Sequence, residues 1–175
     1  MLGNQPLRIV LTGAECTGKS TITSRAANHF EEPFSQEYVR HYVEKLDRPL
    51  EEKDLDPIFR GQLQFEDQAF AEARHYVFHD TNLISSILYA DHYFNFRRNW
   101  MKETFRKREY AAYFLCEPDI PWQVDPGQRE SPEERLKLQR LFEEILERYS
   151  IPYIRLRGSI EDRLNLIVQH LRDLG

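Results

Sequence analysis

Little in this sequence would tie it to an oxidising compartment or a bilayer. The 175 residues include two cysteines, Cys16 and Cys116. They are too few and too far apart for a disulfide framework or a CxxC metal or redox pair. No secretory signal opens the sequence, and no apolar run approaches the roughly 20 residues that a membrane-spanning helix needs. Positive charge is also scarce: 24 Lys and Arg against 29 Asp and Glu leave a net charge of −5, whereas nucleic-acid-binding surfaces are usually basic. Repeats, low-complexity tracts and linkers are missing, and the six histidines show no metal-ligand spacing. These absences lead us to expect one reduced, cytoplasmic, soluble domain with no nucleic-acid or membrane partner; an oligomer stays open. The length suits one domain with a sizeable core. The one dense basic stretch, Arg97-Arg98 and residues 102–108, is interrupted by Glu103. It reads as a solvated helix face that could also meet an anionic substrate.

What is present begins at residues 8–20, RIVLTGAECTGKS. A β-branched-rich segment over 7–11 breaks into Gly13, Ala14, Glu15, Cys16, Thr17, Gly18, Lys19 and Ser20, and a helical pattern continues from Thr21. This is the G-x-x-x-x-G-K-[ST] phosphate-binding loop in its proper setting of strand, loop and helix. The glycines permit turns that aim successive N–H groups inward. The new helix points its positive end at the anion, Lys19 reaches the β- and γ-phosphates, and the Ser20 hydroxyl can ligate Mg²⁺. The motif therefore predicts a site for ATP or GTP with magnesium. A Cys16 thiol inside the loop could be acidified there, although a small residue that fits the turn is the favoured reading.

Further along, apolar runs at 33–37, 75–80, 110–116 and 152–156 alternate with helical patterns at 21–30, 51–74, 83–108 (two pieces), 133–149 and 160–174. Ser131-Pro132-Glu133-Glu134 supplies a helix start with cap, N1 proline and acidic first turn. Alternation of this kind predicts a three-layer α/β domain, a parallel sheet with helices on both faces, its ligands at the carboxyl ends of the strands.

Several residues could serve a reaction beside the loop. Asp80 ends a strand, where a carboxylate can hold Mg²⁺ or take a proton from an incoming hydroxyl; Asp80-Thr81 could instead cap the next helix. Glu37 follows the second strand and could accept a ribose hydroxyl proton, with Tyr38 beside it and Arg40 able to pair with it or with a phosphate; an ordinary ion pair at a helix start explains them equally. The proline-rich segment 117–131 has the composition of a lid carrying Trp122 and bringing in Arg129, with Arg135 a further candidate. Gln62, Gln64 and Gln68 could read a base, and Tyr38, Tyr42 and Phe65 could stack on one. Gly158-Ser159 lies where an adenine would sit, with Arg163 one turn on and able to cross the ring. Glu15 would repel phosphate if it faced inward, so it is expected to point toward metal or acceptor. The aromatic stretch 89–110 reads as a pocket wall or a dimer surface.

Taken in order, Gly13-Ala14-Glu15-x-Thr17-Gly18-Lys19-Ser20-Thr21, Glu37-Tyr38-x-Arg40, Gly61-Gln62, Asp80-Thr81, Pro118-Asp119-Ile120-Pro121-Trp122 with Asp125 and Arg129, and Gly158 resemble the nicotinamide riboside kinase domain of NadR-type proteins. These are a branch of the P-loop ATPases and nucleoside kinases, and the resemblance covers nearly the whole sequence. It implies a sheet order of 2-3-1-4-5 and ATP-dependent phosphorylation of the 5′-hydroxyl of nicotinamide riboside. It further implies that Lys19, Ser20 and Thr21 serve the nucleotide and magnesium, Glu37, Arg40 and Asp80 the acceptor and reaction centre, and Arg129 the lid. Cys16 stands where Ser is commoner, and the Asp125–Arg129 spacing is one residue longer than the usual Asp-Gly-x-Arg. The H-x-G-H and helix-turn-helix motifs of NadR-type proteins do not occur here, so the resemblance implies the kinase portion alone. Kinases of another nucleoside or nucleotide, and a P-loop ATPase switch with a protein partner, remain open from the residues themselves.

Overall fold

Strand β1 (Leu7–Thr12) has no exposed face. Ile9 and Leu11 enter one apolar layer and Val10 the other, all fully buried, as a two-residue repeat requires when helices cover both sides of a sheet. In the computed structural model, which describes residues 5–122 and 131–174, this strand is the centre of the fold. Around it run β2 (Phe34–Ser35), β3 (Tyr76–Asp80), β4 (Ala112–Cys116) and β5 (Ile154–Leu156). Every pairing is parallel, in the order β2-β3-β1-β4-β5. This is the P-loop kinase sheet, and the order implied by the resemblance is the one found. Leu11 lies opposite both Asp80 and Phe114, so β1, β3 and β4 end along one edge.

One layer is formed by α1 (Lys19–Phe30) and α7 (Ile160–Leu174). Their Ile22, Ala26, Leu164, Ile167 and Leu171 pack on Ile9, Leu11 and Phe114. The opposite layer takes α3 (Leu55–Glu72), α4 (Leu83–Phe94), α5 (Asn99–Arg106) and α6 (Pro132–Arg148) through residues such as Phe59, Ile84, Met101, Leu138 and Phe142. No helix among the described residues is long and apolar enough to cross a membrane.

Local chemistry sets the boundaries. Ser131 caps α6 by accepting from the Glu134 amide, with Pro132 in the first turn, as its sequence anticipates. The 83–108 segment does split, at Asn95, whose left-handed φ of 50° closes α4. One expectation is shortened: the second strand pairs only at Phe34 and Ser35, with Phe78 and His79, because the chain turns at once into α2 (Tyr38–Val43), a helix too short to show a period in sequence. The long helix expected within 51–74 is α3, and a 3-10 turn, Glu52–Asp54, precedes it. There Asp54 accepts a two-pronged bond from Arg48 and one from the Tyr42 hydroxyl. Tyr42 is therefore a structural side chain.

Between α3 and β3 lies a buried polar cluster. Glu66 is fully buried. Its Oε2 accepts from the Tyr110 hydroxyl at 2.7 Å and from Arg108 at 3.4 Å, while Oε1 has no hydrogen-bond partner. Burial pushes its carboxyl up to about 7, against the pull of Tyr110 and Arg108. In the unfolded chain this group would ionise near 4.5. The folded protein therefore holds the proton where the unfolded chain has lost it, and the stability gained from Glu66 at low pH is lost as pH rises from about 4.5 to 7. Glu66→Gln imitates the protonated carboxyl, so the variant should exceed the parent in urea-unfolding stability at pH 7.5 and approach it at pH 4.5. Parallel stability profiles would show that Glu66 stays ionised in the fold. His79, held neutral nearby by burial, titrates alike in both proteins and cancels from the difference.

Candidate functional site

Beyond β1 the backbone turns sharply. Gly13 has φ of 129°, and a Cβ there would meet the Cys116 carbonyl oxygen at 2.7 Å, so only glycine lets the loop lie against the end of β4. Cys16, with φ of 53°, and the α1 N-cap Gly18, with φ of 78°, are also left-handed. Such a path turns amides to one side and carbonyls to the other. The carbonyls are met by donors. Ala14 O accepts from Lys19 Nζ at 2.6 Å and from the Thr17 hydroxyl at 2.8 Å. Cys16 O accepts from Arg135 at 3.2 Å, and Thr17 O from Arg163 at 2.6 Å. Gln139, buried on α6, accepts from the Ala14 amide at 3.0 Å and donates to Cys116 O at 3.2 Å. At the start of α1, Gly18 offers no side-chain cap, leaving the first-turn amides of Lys19, Ser20 and Thr21 for a ligand. Lys19 itself is buried, whereas Ser20 and Thr21 are exposed.

Asp80 is only 4 % exposed, and its Oδ1 has no hydrogen-bond partner. The capping alternative for Asp80-Thr81 is set aside: Asn82 caps α4, accepting from Ile84 N at 3.2 Å while donating to the Tyr113 hydroxyl at 2.8 Å. Thr81 has φ of 63°, a strained conformation for a β-branched residue that costs of order 1–3 kcal/mol. Its amide bond to Leu11 O (2.9 Å) and its hydroxyl contact with Ser85 hold it there.

Glu37 precedes α2 without capping it and accepts from Arg40 Nε at 3.2 Å. Burial raises its pKa above the ordinary value; Lys19 and Arg40 pull it down and Asp80 pushes it up. The charges of Lys19 and Asp80 thus both act on Glu37. The ordinary ion pair with Arg40 is present as well. Magnesium is a fair match to this donor set. A buried, unpartnered carboxylate oxygen and the hydroxyl of Ser20 suit an ion that takes one or two protein ligands and fills its shell with phosphate and water. No cluster of three metal-binding side chains occurs among the described residues.

From Glu37 opens a cleft of about 450 Å³ walled by α2, α3 and α4. Glu15, Glu37, Arg40 and Glu44 line its polar side. Val39, Val43, Ile58 and Phe59 form apolar wall. Tyr89 and Tyr93 lie parallel, 6.0 Å apart and 7° from coplanar; the aromatic stretch does supply pocket wall. Tyr38 does not line the cleft. It packs over Gly61, where a Cβ would sit 2.1 Å from its ring, and against the edge of Phe65. Gln62 reaches the wall, but its Oε1 is taken by the Tyr38 amide at 3.0 Å. Gln64 and Gln68 are exposed, on a separate surface of α3. Tyr38 therefore fixes α2 upon α3, while Gln62 gives its Oε1 to that joint and keeps at the cleft wall a buried Nε2 with no hydrogen-bond partner.

The largest correction concerns Arg163. It is fully buried and cannot lie across a ring at the surface. Its guanidinium donates to Thr17 O, Glu117 O, Gly158 O and Asp119, because the loop's outward carbonyls need donors where water does not reach. Asp119 in turn accepts from the Gly158 amide at 2.6 Å, and Ser159 pairs with Asp162 at the start of α7. Arg135, the further candidate beside Arg129, is buried and donates to Cys16 O of the loop and to Ile120 O in the lid segment, each at 3.2 Å. Arg129, Asp125 and most of the lid segment lie outside the described residues. Gln139 went unremarked in sequence, and Asp119 was read only as part of the Pro118–Trp122 stretch. For Gln139 a signal exists: with Arg135 it interrupts the buried stripe of Leu138, Phe142, Ile145 and Leu146, and a polar residue on an apolar stripe calls for a partner. Arg163→Met should lower unfolding stability by about 2–3 kcal/mol by orphaning the Thr17 and Glu117 carbonyls, and weaken ATP binding measured by calorimetry. Unchanged stability and affinity would mean that the loop holds its shape unaided.

The model of the AAA domain family matches residues 8–163. Over 160 residues the chain is 28 % identical to the trifunctional NAD biosynthesis/regulator protein NadR of Escherichia coli strain K12, a match covering 88 % of this chain and 39 % of that protein. The chain thus spans about two-fifths of the length of that curated relative. Among solved structures, the crystal structure of NadR protein in complex with NR superposes with a TM-score of 0.75 at 22 % identity, covering 88 % of this chain and 45 % of the other. That of NadR protein in complex with NAD and AMP-PNP gives 0.77 at 19 %, covering 97 % and 49 %.

Proposed function

This chain belongs to the AAA domain family, and from that premise we propose that it is an ATP- and magnesium-dependent kinase that phosphorylates the 5′-hydroxyl of nicotinamide riboside to give nicotinamide mononucleotide. The observation that carries the reading is that Glu15 of the phosphate loop and Glu37 line one cleft of about 450 Å³, with the charges of Lys19 and Asp80 acting on Glu37. A donor in the loop and an acceptor in the cleft would share that junction. The similarity to NadR proteins, one of them in complex with NR and another with AMP-PNP, supports the choice of both substrates. So does the cleft itself: three glutamates and a parallel tyrosine pair suit a cationic aromatic ring such as a pyridinium, through charge and through the ring faces.

In this mechanism the α1 amides and Lys19 cradle the β- and γ-phosphates and neutralise charge as it spreads over the transferring group. Glu37 accepts the proton of the 5′-hydroxyl as its oxygen bonds to the γ-phosphorus; the bond to the β–γ bridging oxygen breaks and ADP departs. Its raised pKa brings it nearer neutrality, where a general base works best. Magnesium, when held by Ser20 and Asp80, would supply charge neutralisation to the same phosphates. Arg129 would reach the phosphoryl group from the lid.

An assay with ATP, Mg²⁺ and a panel of nucleosides and nucleotides tests the proposal. Nicotinamide riboside should lead the panel; preference for a neutral nucleoside would contradict the acceptor assignment, and acceptor-independent ATP hydrolysis the kinase reading. Glu37→Gln should lower kcat by about 10²–10⁴-fold with little change in ATP affinity. In the parent, kcat/KM should fall as pH drops through the raised Glu37 pKa, at higher pH than an ordinary glutamate would give, and Glu37→Gln should lose that acid limb. A variant that retains the limb would reassign it to another group.

A further inference from the structure

A second cavity, away from the phosphate loop and the α2–α4 cleft, is ringed by positive charge. At the opposite edge of the sheet from the phosphate loop, where β4 and β5 begin, a cavity of about 550 Å³ opens between α5, the end of α4 and the turn after α6. Arg97, Arg98, Lys102, Arg106, Arg108 and Arg148 surround it, with Asp91 the one carboxylate, so the cavity is strongly positive in a chain whose net charge is −5. Some of these cations are occupied: Arg97 by Asp91 at 2.6 Å, Arg108 by Glu66 and Asp67, and Arg98 by Glu52 at 3.9 Å and the Phe96 ring at 4.2 Å. Among the described residues, Lys102, Arg106 and Arg148 have no carboxylate within 4 Å. Holding like charges together around a concavity costs free energy unless an anion enters.

The cavity interior is aromatic. Phe105 packs parallel to Tyr110 at 5.9 Å and edge-on to Tyr149 at 5.3 Å, and Arg106 lies 5.8 Å from the Tyr149 ring centre. Arginine and lysine above aromatic faces suit a planar ring joined to phosphate, and the volume is within the range of small-ligand sites. We propose that this cavity is a second binding site for a nucleotide, phosphate on Lys102, Arg106 and Arg148, base against Tyr149 and Phe105. Helix α4 separates it from the acceptor cleft: Ile87 and Asp91 face the second cavity, while Ser86, Tyr89 and Tyr93 face the cleft. A nucleotide bound here would contact the helix that lines the acceptor site. The inference is independent of the kinase reading, since no residue of the phosphate loop takes part.

The test is titration of the ¹⁵N-labelled full chain with AMP, with adenosine and inorganic phosphate as separate arms, in the parent and in Lys19→Ala. AMP should produce saturable amide shifts over residues 99–106 and 148–152 in both proteins, larger than either fragment gives. Combining Lys102→Glu, Arg106→Glu and Arg148→Glu should weaken these shifts by about tenfold or more and leave those over residues 13–20 in place. Arg148→Gln alone, a milder surface change, should give a smaller weakening in the same direction if the triple variant does not fold. Absence of saturable shifts at millimolar AMP, or their persistence in the charge-reversed chain, would overturn the proposal. So would tighter binding of a single-stranded oligonucleotide than of AMP, which would make the cavity part of a nucleic-acid surface.

Discussion

A loop that presents its amides to phosphate must turn its carbonyls the other way, and those carbonyls then need donors. Everything about the candidate site follows from how this chain meets that demand. Ala14 O is answered from within by Thr17 and Lys19, Cys16 O by Arg135, and Thr17 O by Arg163. Two of these donors come from the last third of the sequence. The phosphate loop is thus held in its working shape by helices α6 and α7, more than a hundred residues away, and Gln139 joins it to the end of β4. Because the loop is restrained from behind, its amides need little rearrangement to meet a phosphate, which is how preorganised sites gain their strength.

The same economy of partners marks the reaction centre. Asn82 caps α4 and leaves Asp80 free of structural duty, its Oδ1 buried without a hydrogen bond. Thr81 is strained at the next position. Unpaired buried oxygen and backbone strain side by side would be hard to retain in a region concerned with stability alone. Across the cleft, Tyr38 and Gln62 tie α2 to α3, with Gly61 providing the space. These contacts set where Glu37 and Arg40 stand. Of the motif pairs Glu37-Tyr38 and Gly61-Gln62, Glu37 and Gln62 line the cleft, while Tyr38, Gly61 and the Oε1 of Gln62 hold α2 upon α3.

Where an interaction is local, the sequence was a sufficient guide. The loop motif, the capped start of α6 and the strand end at Asp80 are each encoded within a few residues, and the sheet follows from apolar runs between helical periods. What escaped it depended on distance in the chain. Arg163 looked like a residue for an adenine ring because nothing nearby in sequence tells that Thr17 and Glu117 carbonyls would surround it. Arg135 looked like a lid residue because it follows the lid, yet the turn of α6 brings it to Cys16. Helix α2, with six residues, is set by tertiary packing on α3, which periodicity does not report. The glutamines of α3 had to be told apart by which face of the helix each occupies.

The central claim is that the phosphate loop and the α2–α4 cleft form one continuous site, with Glu37 at their junction. Its most direct measurement is a crystal structure of the chain with AMP-PNP, magnesium and nicotinamide riboside. The account predicts the γ-phosphorus over the first turn of α1, the riboside 5′-oxygen in line with it, and a Glu37 carboxylate oxygen within hydrogen-bonding distance of that hydroxyl. A riboside bound elsewhere, or held in the cleft with its 5′-oxygen directed away from Glu37 and the γ-phosphate, would contradict it.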